Sequence, residues 1–217
     1  MPPSGFEGVR RETFDPSGYA RSIERVETHL ASSEDRGREP EHALRGAWSE
    51  HRSTIYALLT TLDKLSDVLR SQGPPCVICH ADLHPSNLLR DRAGNVFVVD
   101  WDDVMLAPRE RDFIFVGEPT NGSRDQGSPF FEGYGPIGLD WTLLTYYRYE
   151  RVIQDLIEGA GQVLFRGDLS EGVKAEAARA FRASLEGRNF DAAQVAAAHV
   201  PEELTVQGGG GPLLRRG

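Results

Sequence analysis

Hydrophobic residues recur at helical spacing over most of the chain. Apolar positions three or four residues apart, with polar residues between them, predict one helix that begins near Tyr19 and a longer one over residues 43–72. The same spacing predicts helices over residues 139–158, 170–187 and 190–199. The pattern therefore predicts a mainly helical fold.

Short β-strands are predicted between the second and the third of these helices. Residues 77–78, 88–89 and 96–99 are short apolar runs of the kind that form strands. Asp91 and Gly94 supply turn chemistry between the last two runs, which predicts a β-hairpin. Antiparallel strands between residues 77 and 99 are expected to lie against the helices. The predicted fold class is α+β, mainly helical with a small β-hairpin.

The segment after the strands is expected to be less regular. A short helix is predicted at residues 107–115, where Pro108 suits a first helical turn. Residues 117–138 are rich in Gly and Pro and are expected to form a loop. Three aromatic residues lie in this loop: Phe130, Phe131 and Tyr134. We expect them to anchor the loop to the core rather than to line a substrate pocket.

The length and composition predict one domain. A chain of 217 residues can bury a core, and 39% hydrophobic with 26% charged residues is typical of a soluble globular protein. Residues 1–18 are predicted to be an irregular lead-in, residues 19–205 the folded unit, and residues 206–217 a flexible, Gly-rich tail. No apolar run approaches the ~18 residues of a membrane span, and the N-terminus lacks a signal-peptide pattern. We therefore predict a cytoplasmic protein with no membrane partner.

The formal net charge of −9 at pH 7 bears on the choice of partner. It argues against nucleic acid, because phosphate contacts need a basic surface. It is compatible with a cationic small-molecule substrate, although solubility alone explains an acidic chain equally well.

Three oxygen-bearing side chains surround the predicted hairpin. Asp82 lies five residues before Asn87, and Asp100 directly follows the second strand of the predicted hairpin, residues 96–99. Because the hairpin folds the chain back, Asp100 is expected to return to the neighbourhood of Asn87 and Asp82. Oxygen ligands of this kind suit Mg²⁺, and one carboxylate is left over as a general base.

Residues 76–116 resemble the catalytic segment of the aminoglycoside phosphotransferase and choline kinase group, within the protein-kinase-like superfamily. That group carries a loop of the form H-x-D-x-x-x-x-N and a metal-binding Asp after an apolar strand. Here residues 80–87 are HADLHPSN and residues 98–103 are VVDWDD. The continuation to Arg-Asp112 is most similar to spectinomycin-type antibiotic phosphotransferases.

The resemblance implies phosphoryl transfer from ATP or GTP to a hydroxyl group of a small molecule, such as an aminoglycoside or spectinomycin. It implies that Asp82 is the catalytic residue and accepts the proton of the attacking hydroxyl. Asn87 and Asp100 are implied to bind Mg²⁺ on the nucleotide phosphates. His80 and Asp112 are implied to support the loop, with Asp112 as a buried acceptor of backbone N–H groups.

Two neighbouring residues have less defined roles. His84 and Asp102 lie close enough to the motif to be candidate substrate contacts. For any single residue of the motif the structural alternative is a turn network, in which Asp and Asn side chains cap backbone N–H groups.

The residues before the motif do not match the nucleotide-binding lobe of kinase-like proteins. That lobe is mainly a β-sheet with a phosphate-contacting lysine, whereas residues 1–79 look helical and contain only Lys64, in mid-helix; the other lysine is Lys174. We expect the chain to represent the C-terminal lobe, with the N-terminal lobe lost by truncation, by a misassigned start or to a separate chain. Weak or absent activity is then expected. The alternative function is a non-catalytic binding or regulatory remnant of the same fold.

A metallohydrolase is a further interpretation of the same residues. His80, Asp82 and His84 alternate along the chain and could bind a metal from one face of a strand. Pro85 and the absence of a further ligand motif count against it.

Two other groups of residues are expected to be structural. Cys76 and Cys79 have the spacing of a redox or zinc pair, but a strand would separate their faces and no second pair exists, so buried thiols are expected. Arg148, Glu150 and Arg151 lie in the predicted helix at 139–158 and are expected to form surface ion pairs that contribute little.

Overall fold

The computed structural model describes residues 8–32, 38–116, 129–135 and 137–206. Its α-helices are α1 (Ser17–Ser32), α2 (Glu39–Gln72), α3 (Pro129–Tyr134), α4 (Trp141–Phe165), α5 (Glu171–Glu186) and α6 (Arg188–Ala197). Its strands are β1 (Arg10–Arg11), β2 (Val77–Cys79), β3 (Leu88–Arg90), β4 (Val96–Val98) and β5 (Met105–Ala107). Short 3₁₀ helices occupy Pro85–Asn87, Arg109–Phe113 and Glu202–Leu204. The mainly helical character is confirmed.

The helices predicted from apolar spacing are all present, as α1, α2, α4, α5 and α6. α2 ends where Gly73 takes a left-handed φ of 57° and its N–H donates to the carbonyl of Leu69. α4 begins after Asp140, whose carboxylate accepts hydrogen bonds from the N–H groups of Thr142 and Leu143. Local capping chemistry therefore sets these helix ends.

α4 continues to Phe165, beyond the end predicted at residue 158. Gly159 and Gly161 have a low helix propensity, but Gly159 is buried where α4 meets α5. A Cβ atom at this position would lie 3.1 Å from the carbonyl oxygen of Ala177. The glycine thus permits a close approach of two helices, and the packing gained offsets its conformational cost.

α4 is the central helix of the core. It packs against α1, α2, α5 and α6. Tyr146, Tyr147 and Ile153 of α4 are fully buried, as are Leu62 of α2 and Phe181 of α5. Each aliphatic or Phe side chain buried in this way contributes about 1.5–3 kcal/mol. The helix that carries the core also reaches the predicted site, as described below.

The strands form two separate small sheets. β3 and β4 make the predicted antiparallel hairpin, with Leu88 opposite Val98. β2 pairs instead with β5 in antiparallel fashion, and β1, within the expected lead-in, pairs in parallel with β5. Strand β5 was missed, because its apolar run spans only three residues and ends at a proline that favours a helix start. The residues after that proline form a five-residue 3₁₀ helix, Arg109–Phe113.

The expected loop over residues 117–138 is described only in part. Residues 117–128 and 136 lie outside the described residues, and so does the tail from residue 207 onward. Residues 129–134 form α3, and the rings of Phe130, Phe131 and Tyr134 surround Phe113 with centroids 5.3–5.6 Å away. These contacts anchor the segment to the core, as predicted. Within the described residues, no helix has the length and apolar character needed to cross a membrane.

Candidate active site

The β3–β4 hairpin brings the two predicted metal ligands to the same end of the ladder. Beyond the last strand pair, the N–H of Val99 donates to the carbonyl of Asn87 over 3.0 Å, and Asp100 follows directly. At the turn, the carboxylate of Asp91 accepts hydrogen bonds from the backbone and the side chain of Asn95, each over 2.8 Å. The register of the hairpin is therefore held at both ends.

Asn87 is buried and ties the hairpin to the preceding loop. Its Nδ2 donates to the main-chain carbonyl of Asp82 over 3.0 Å. Because the amide nitrogen is occupied in this way, the amide oxygen is the atom left to act as a ligand. One side chain thus connects the predicted base to the predicted metal site.

Asp112 accepts two hydrogen bonds from the loop that carries Asp82. Its Oδ2 lies 3.0 Å from the N of His80, and its Oδ1 lies 2.7 Å from the N of Ala81. Ala81 has a φ of 70°, a left-handed conformation that is unfavourable for a residue with a Cβ atom. Asp112 compensates for part of this strain, because it satisfies the consecutive backbone N–H groups of His80 and Ala81.

His80 is buried and uses both ring nitrogens. Nε2 lies 2.8 Å from the carbonyl oxygen of Val99 and must donate to it, so Nδ1 accepts from the N–H of Asp82 over 3.3 Å. The ring also contacts Trp101, with centroids 4.7 Å apart. Residues 80–84 lie after β2 rather than on a strand, and His80, Asp82 and His84 do not form a group of converging ligand atoms within the described residues. Both observations count against the metallohydrolase interpretation.

Asp82 is half-buried and has a different partner on each carboxylate oxygen. Oδ1 lies 3.0 Å from Nη1 of Arg151 on α4. Oδ2 lies 3.4 Å from Nε2 of His84, which is longer than an ordinary hydrogen bond. Nδ1 of His84 accepts from the N–H of Ser86, so Nε2 is the nitrogen that carries the proton in the neutral ring.

Asp100 and Asp102 both lie at the exposed end of the hairpin. Asp100 has a φ of 65°. Neither carboxylate accepts a hydrogen bond from another residue in the described part of the chain. Asp100 is thus held by its backbone next to Val99, with its carboxylate available, whereas Asp102 makes no contact that ties it to Asp82.

The donor atoms at Asn87 and Asp100 fit a divalent cation such as Mg²⁺. An amide oxygen and a carboxylate are hard oxygen ligands, and Mg²⁺ commonly takes one or two protein oxygens together with substrate phosphates and water. Both oxygens are left without a partner by the contacts described above.

A different group of possible ligands lies between α2 and α5. Glu50, His51 and Glu186 place their ligand atoms within 4.8 Å of one another. Arg182 bridges the two carboxylates, at 2.8 Å from Glu50 and 2.9 Å from Glu186. The guanidinium already supplies the positive charge at this place, so the group is explained as a surface ion-pair network.

The prediction of surface ion pairs on the helix predicted at residues 139–158 is wrong. Arg148 and Glu150 are only 4% and 6% exposed. Glu150 pairs with the buried Arg111 and accepts a hydrogen bond from the hydroxyl of Tyr19 over 2.9 Å. Arg151 contacts Asp82. The signal was available in the sequence, because a helix that is apolar on several faces buries its charged residues, and buried charges need partners.

The cysteine prediction holds for one of the two thiols. Cys79 is fully buried and its Sγ lies 3.4 Å from the carbonyl oxygen of Pro108, whereas Cys76 is half-buried. Burial raises the pKa of Cys79 to about 12, so its thiol stays protonated at neutral pH.

The model of the phosphotransferase enzyme family (APH) matches residues 18–149 of the chain. The chain belongs to this family. The matched segment contains α1 from its second residue, α2, the whole HADLHPSN loop, the hairpin and Asp112. No curated protein matches the chain.

Two solved structures of spectinomycin phosphotransferase, APH(9)-Ia, are similar to the chain. The complex with ADP and spectinomycin has a TM-score of 0.70 and 27% identity, and the match covers 88% of this chain and 57% of that chain. The AMP-bound complex has a TM-score of 0.68 and 27% identity, and the match covers 88% of this chain and 58% of that chain. The resemblance to spectinomycin-type phosphotransferases is thus confirmed, and the chain spans a little over half the length of these structures.

Proposed function

We propose that the protein takes part in phosphoryl transfer from ATP or GTP to a hydroxyl group of a small molecule of the aminoglycoside or spectinomycin class. The observation that carries the proposal is the hydrogen-bonded connection from Asp82 through Asn87 to Val99 and Asp100. This connection supports the proposal, because it links the loop of the candidate base to both candidate metal ligands at one end of the hairpin. The nucleotides in the similar structures, ADP and AMP, and the spectinomycin in one of them support this substrate class.

Each site residue has a role in this proposal. Asp82 accepts the proton of the acceptor hydroxyl. Asn87 and Asp100 would hold Mg²⁺, which when bound offsets negative charge on the nucleotide phosphates. His80 and Asp112 keep the loop in its conformation, through the contacts to Val99 and to the His80–Ala81 peptide.

His84 and Asp102 are proposed to contact the small molecule that accepts the phosphoryl group, and His84 is the stronger candidate. His84 lies beside Oδ2 of Asp82, where a hydroxyl has to approach the base. Asp102 is exposed beyond Asp100 and could attract an ammonium group of a cationic acceptor. Among the residues that the structure describes, Asp102 makes no contact that ties it to Asp82, and it is therefore the weaker candidate.

The exposed apolar side chains of the hairpin support a nucleotide site. Leu88, Val96 and Val98 lie on one face of the hairpin, and Leu89 and Phe97 lie on the other, because successive strand residues point to opposite faces. All five are exposed, at 42% for Leu88 and 52% for Leu89 and Phe97. Leu88 and Val98 are the pair next to Asn87 and Val99, so a nucleotide base could pack on their face of the hairpin while the phosphates face the metal.

We further propose that the 217 residues by themselves transfer phosphoryl groups slowly. Positioning supplies most of the catalysis in this reaction, and a phosphate-contacting lysine is part of it. The two lysines of the sequence lie elsewhere: Lys64 is on α2, where it donates to the carbonyl of Glu203, and Lys174 is on α5. An N-terminal lobe outside these residues, in the same protein or in a separate chain, would have to supply the missing contacts.

Measurement of ADP production tests the proposal. The purified chain is incubated with Mg·ATP or Mg·GTP and with spectinomycin, an aminoglycoside or no acceptor. We expect slow turnover that needs an acceptor and is lost in Asp82→Asn and in Asp100→Ala. The matched control is Asp103→Ala, because Asp103 is an exposed neighbour that pairs with Arg10 over 3.3 Å. Turnover that survives Asp82→Asn would contradict the assigned role of the base.

A non-catalytic binding or regulatory role is the second candidate. The engagement of both oxygens of Asp82, by Arg151 and His84, favours it, because a base must offer one oxygen to its substrate. Saturable binding of Mg·ADP with no turnover for any acceptor would support this role, and failure to bind a nucleotide would count against both candidates.

A further inference from the structure

Arg151 connects two carboxylates from different parts of the fold. Its Nη1 lies 3.0 Å from Oδ1 of Asp82, which is 69 residues away in the sequence. Its Nε lies 3.0 Å from Oδ1 of Asp155, one turn further along α4, as an ion pair without an aligned hydrogen bond. One side of the guanidinium is thus held by its own helix, while the other side reaches the proposed base.

The backbone of Arg151 is in a rigid part of the molecule. Its neighbours Glu150 and Val152 are both buried, and Glu150 is paired with Arg111 of the 3₁₀ helix that also carries Asp112. The loop with Asp82 and the helix with Arg151 are therefore fastened to the same core element. A side chain that projects from such a helix can hold a loop residue more accurately than the loop itself can.

Phe115 contacts both partners of the Asp82 carboxylate. The guanidinium carbon of Arg151 lies 5.3 Å from the centre of its ring, and the ring of His84 meets it edge-on with centroids 5.9 Å apart. A cation over an aromatic face is attracted to the ring. The two groups that flank the carboxylate are thus placed against one common surface.

The two oxygens of Asp82 are not held equally. The contact of Oδ1 with Arg151 is short and charge-assisted, which is the stronger type of hydrogen bond. The contact of Oδ2 with His84 is longer, at 3.4 Å, and is the easier one to exchange for a substrate hydroxyl.

We propose that Arg151 is a positioning residue: by holding Oδ1 of Asp82, it orients the carboxylate so that Oδ2 faces the acceptor hydroxyl. The inference rests on the function proposed above. The contact contributes orientation, and the catalysis of phosphoryl transfer depends mostly on positioning and electrostatics. Asp155 contributes by holding the Nε side of the guanidinium.

Steady-state kinetics of four variants test the inference. Arg151→Met removes the contact, Arg151→Lys keeps the charge, Asp155→Asn weakens the second support, and Arg179→Met is the control on an exposed α5 pair. We expect Arg151→Met to lower kcat about 10- to 100-fold with an unchanged KM for the nucleotide, since small misplacements of reacting groups have effects of this size. Arg151→Lys should recover part of the lost kcat. The kcat of Asp155→Asn should lie between those of Arg151→Met and the wild type, and the kcat of Arg179→Met should equal that of the wild type. A kcat for Arg151→Met within twofold of the wild type, at equal melting temperature, overturns the inference.

A structural readout separates this inference from the proposed function. If the wild-type chain shows no turnover with any acceptor, the proposed activity of the chain fails, and a crystal structure of Arg151→Met decides the role of the arginine. We expect the Asp82 side chain to occupy more than one rotamer in that variant. A single Asp82 rotamer with Oδ1 in its present place would show that Arg151 does not orient it. If Arg151→Met does not fold, the structure of Arg151→Gln, which also removes the guanidinium, gives the same comparison.

Discussion

Replacement of Asp112 by alanine tests the hydrogen bonds that hold the loop that carries Asp82. Its carboxylate accepts from the N–H groups of His80 and Ala81, over 3.0 Å and 2.7 Å. Hydrogen bonds to a charged group contribute about 1.5–3 kcal/mol each, so the two together amount to about 3–6 kcal/mol. The loss is partly offset, because Ala81 can then leave its left-handed conformation, which costs about 1 kcal/mol or more. We therefore expect Asp112→Ala to lower the free energy of unfolding by about 2–4 kcal/mol.

Urea denaturation followed by circular dichroism measures this difference at pH 7. The control is Asp103→Ala, which removes the same charge from an exposed position paired with Arg10 and should change the stability by less than about 0.5 kcal/mol. Native-state hydrogen exchange gives a second readout, since the amides of His80 and Ala81 should exchange faster in Asp112→Ala. A stability loss below about 1 kcal/mol with unchanged exchange would refute the assignment of Asp112 as the support of the loop.

Three further predictions concern the buried pair, the buried thiol and the hairpin turn. Arg111→Met leaves the buried carboxylate of Glu150 without its cation, with the hydroxyl of Tyr19 as its remaining hydrogen-bond donor, and should cost about 3–5 kcal/mol of stability in urea denaturation. Because burial raises the pKa of Cys79 to about 12, the native protein should not be alkylated there by iodoacetamide at pH 8, although the urea-unfolded chain should be, as mass spectrometry can show. Hydrogen bonds from Asn95 lower the pKa of Asp91 from 3.8, so Asp91→Ala should destabilise at pH 7, and its difference from the wild type should disappear as the pH falls below about 4.

Each of these has a result that would contradict it. A loss below about 1 kcal/mol for Arg111→Met would mean that Glu150 is satisfied by other groups or is protonated. Alkylation of Cys79 at the same rate in native and unfolded protein would place the thiol in solvent. The direction for Asp91 follows from linkage: a carboxyl whose folded pKa is depressed stabilises the fold above its unfolded pKa and loses that contribution on acidification. A stability difference that grows towards low pH would therefore refute the role of its turn hydrogen bonds.

Most of the fold could be predicted because it follows from local patterns. The five longer helices have regular apolar spacing, and the β3–β4 hairpin has a turn signal between two apolar runs. Strand β5 has neither, since its three residues become a strand only through pairing with β1 and β2. The length of α4 was also missed, because Gly159 has a low helix propensity and its close packing against α5 is a long-range contact.

The site shows the same division between local and long-range information. Asp82, Asn87 and Asp100 could be found from the motif, because two of them lie in one short loop and the hairpin returns the third. The contact of Arg151 with Asp82 could not, because it spans 69 residues and depends on how α4 packs.

The sequence by itself determined the helical periodicity, the hairpin and the residue types that phosphoryl-transfer chemistry needs. These properties depend on neighbours within a few positions, so they are present in the chain before it folds. Only the tertiary structure decided which charges meet: Arg111 with Glu150 in the core, and Arg151 with the proposed base. Such pairs form because helix packing removes the charges from water, and each then needs an opposite charge that the chain supplies from a distant segment.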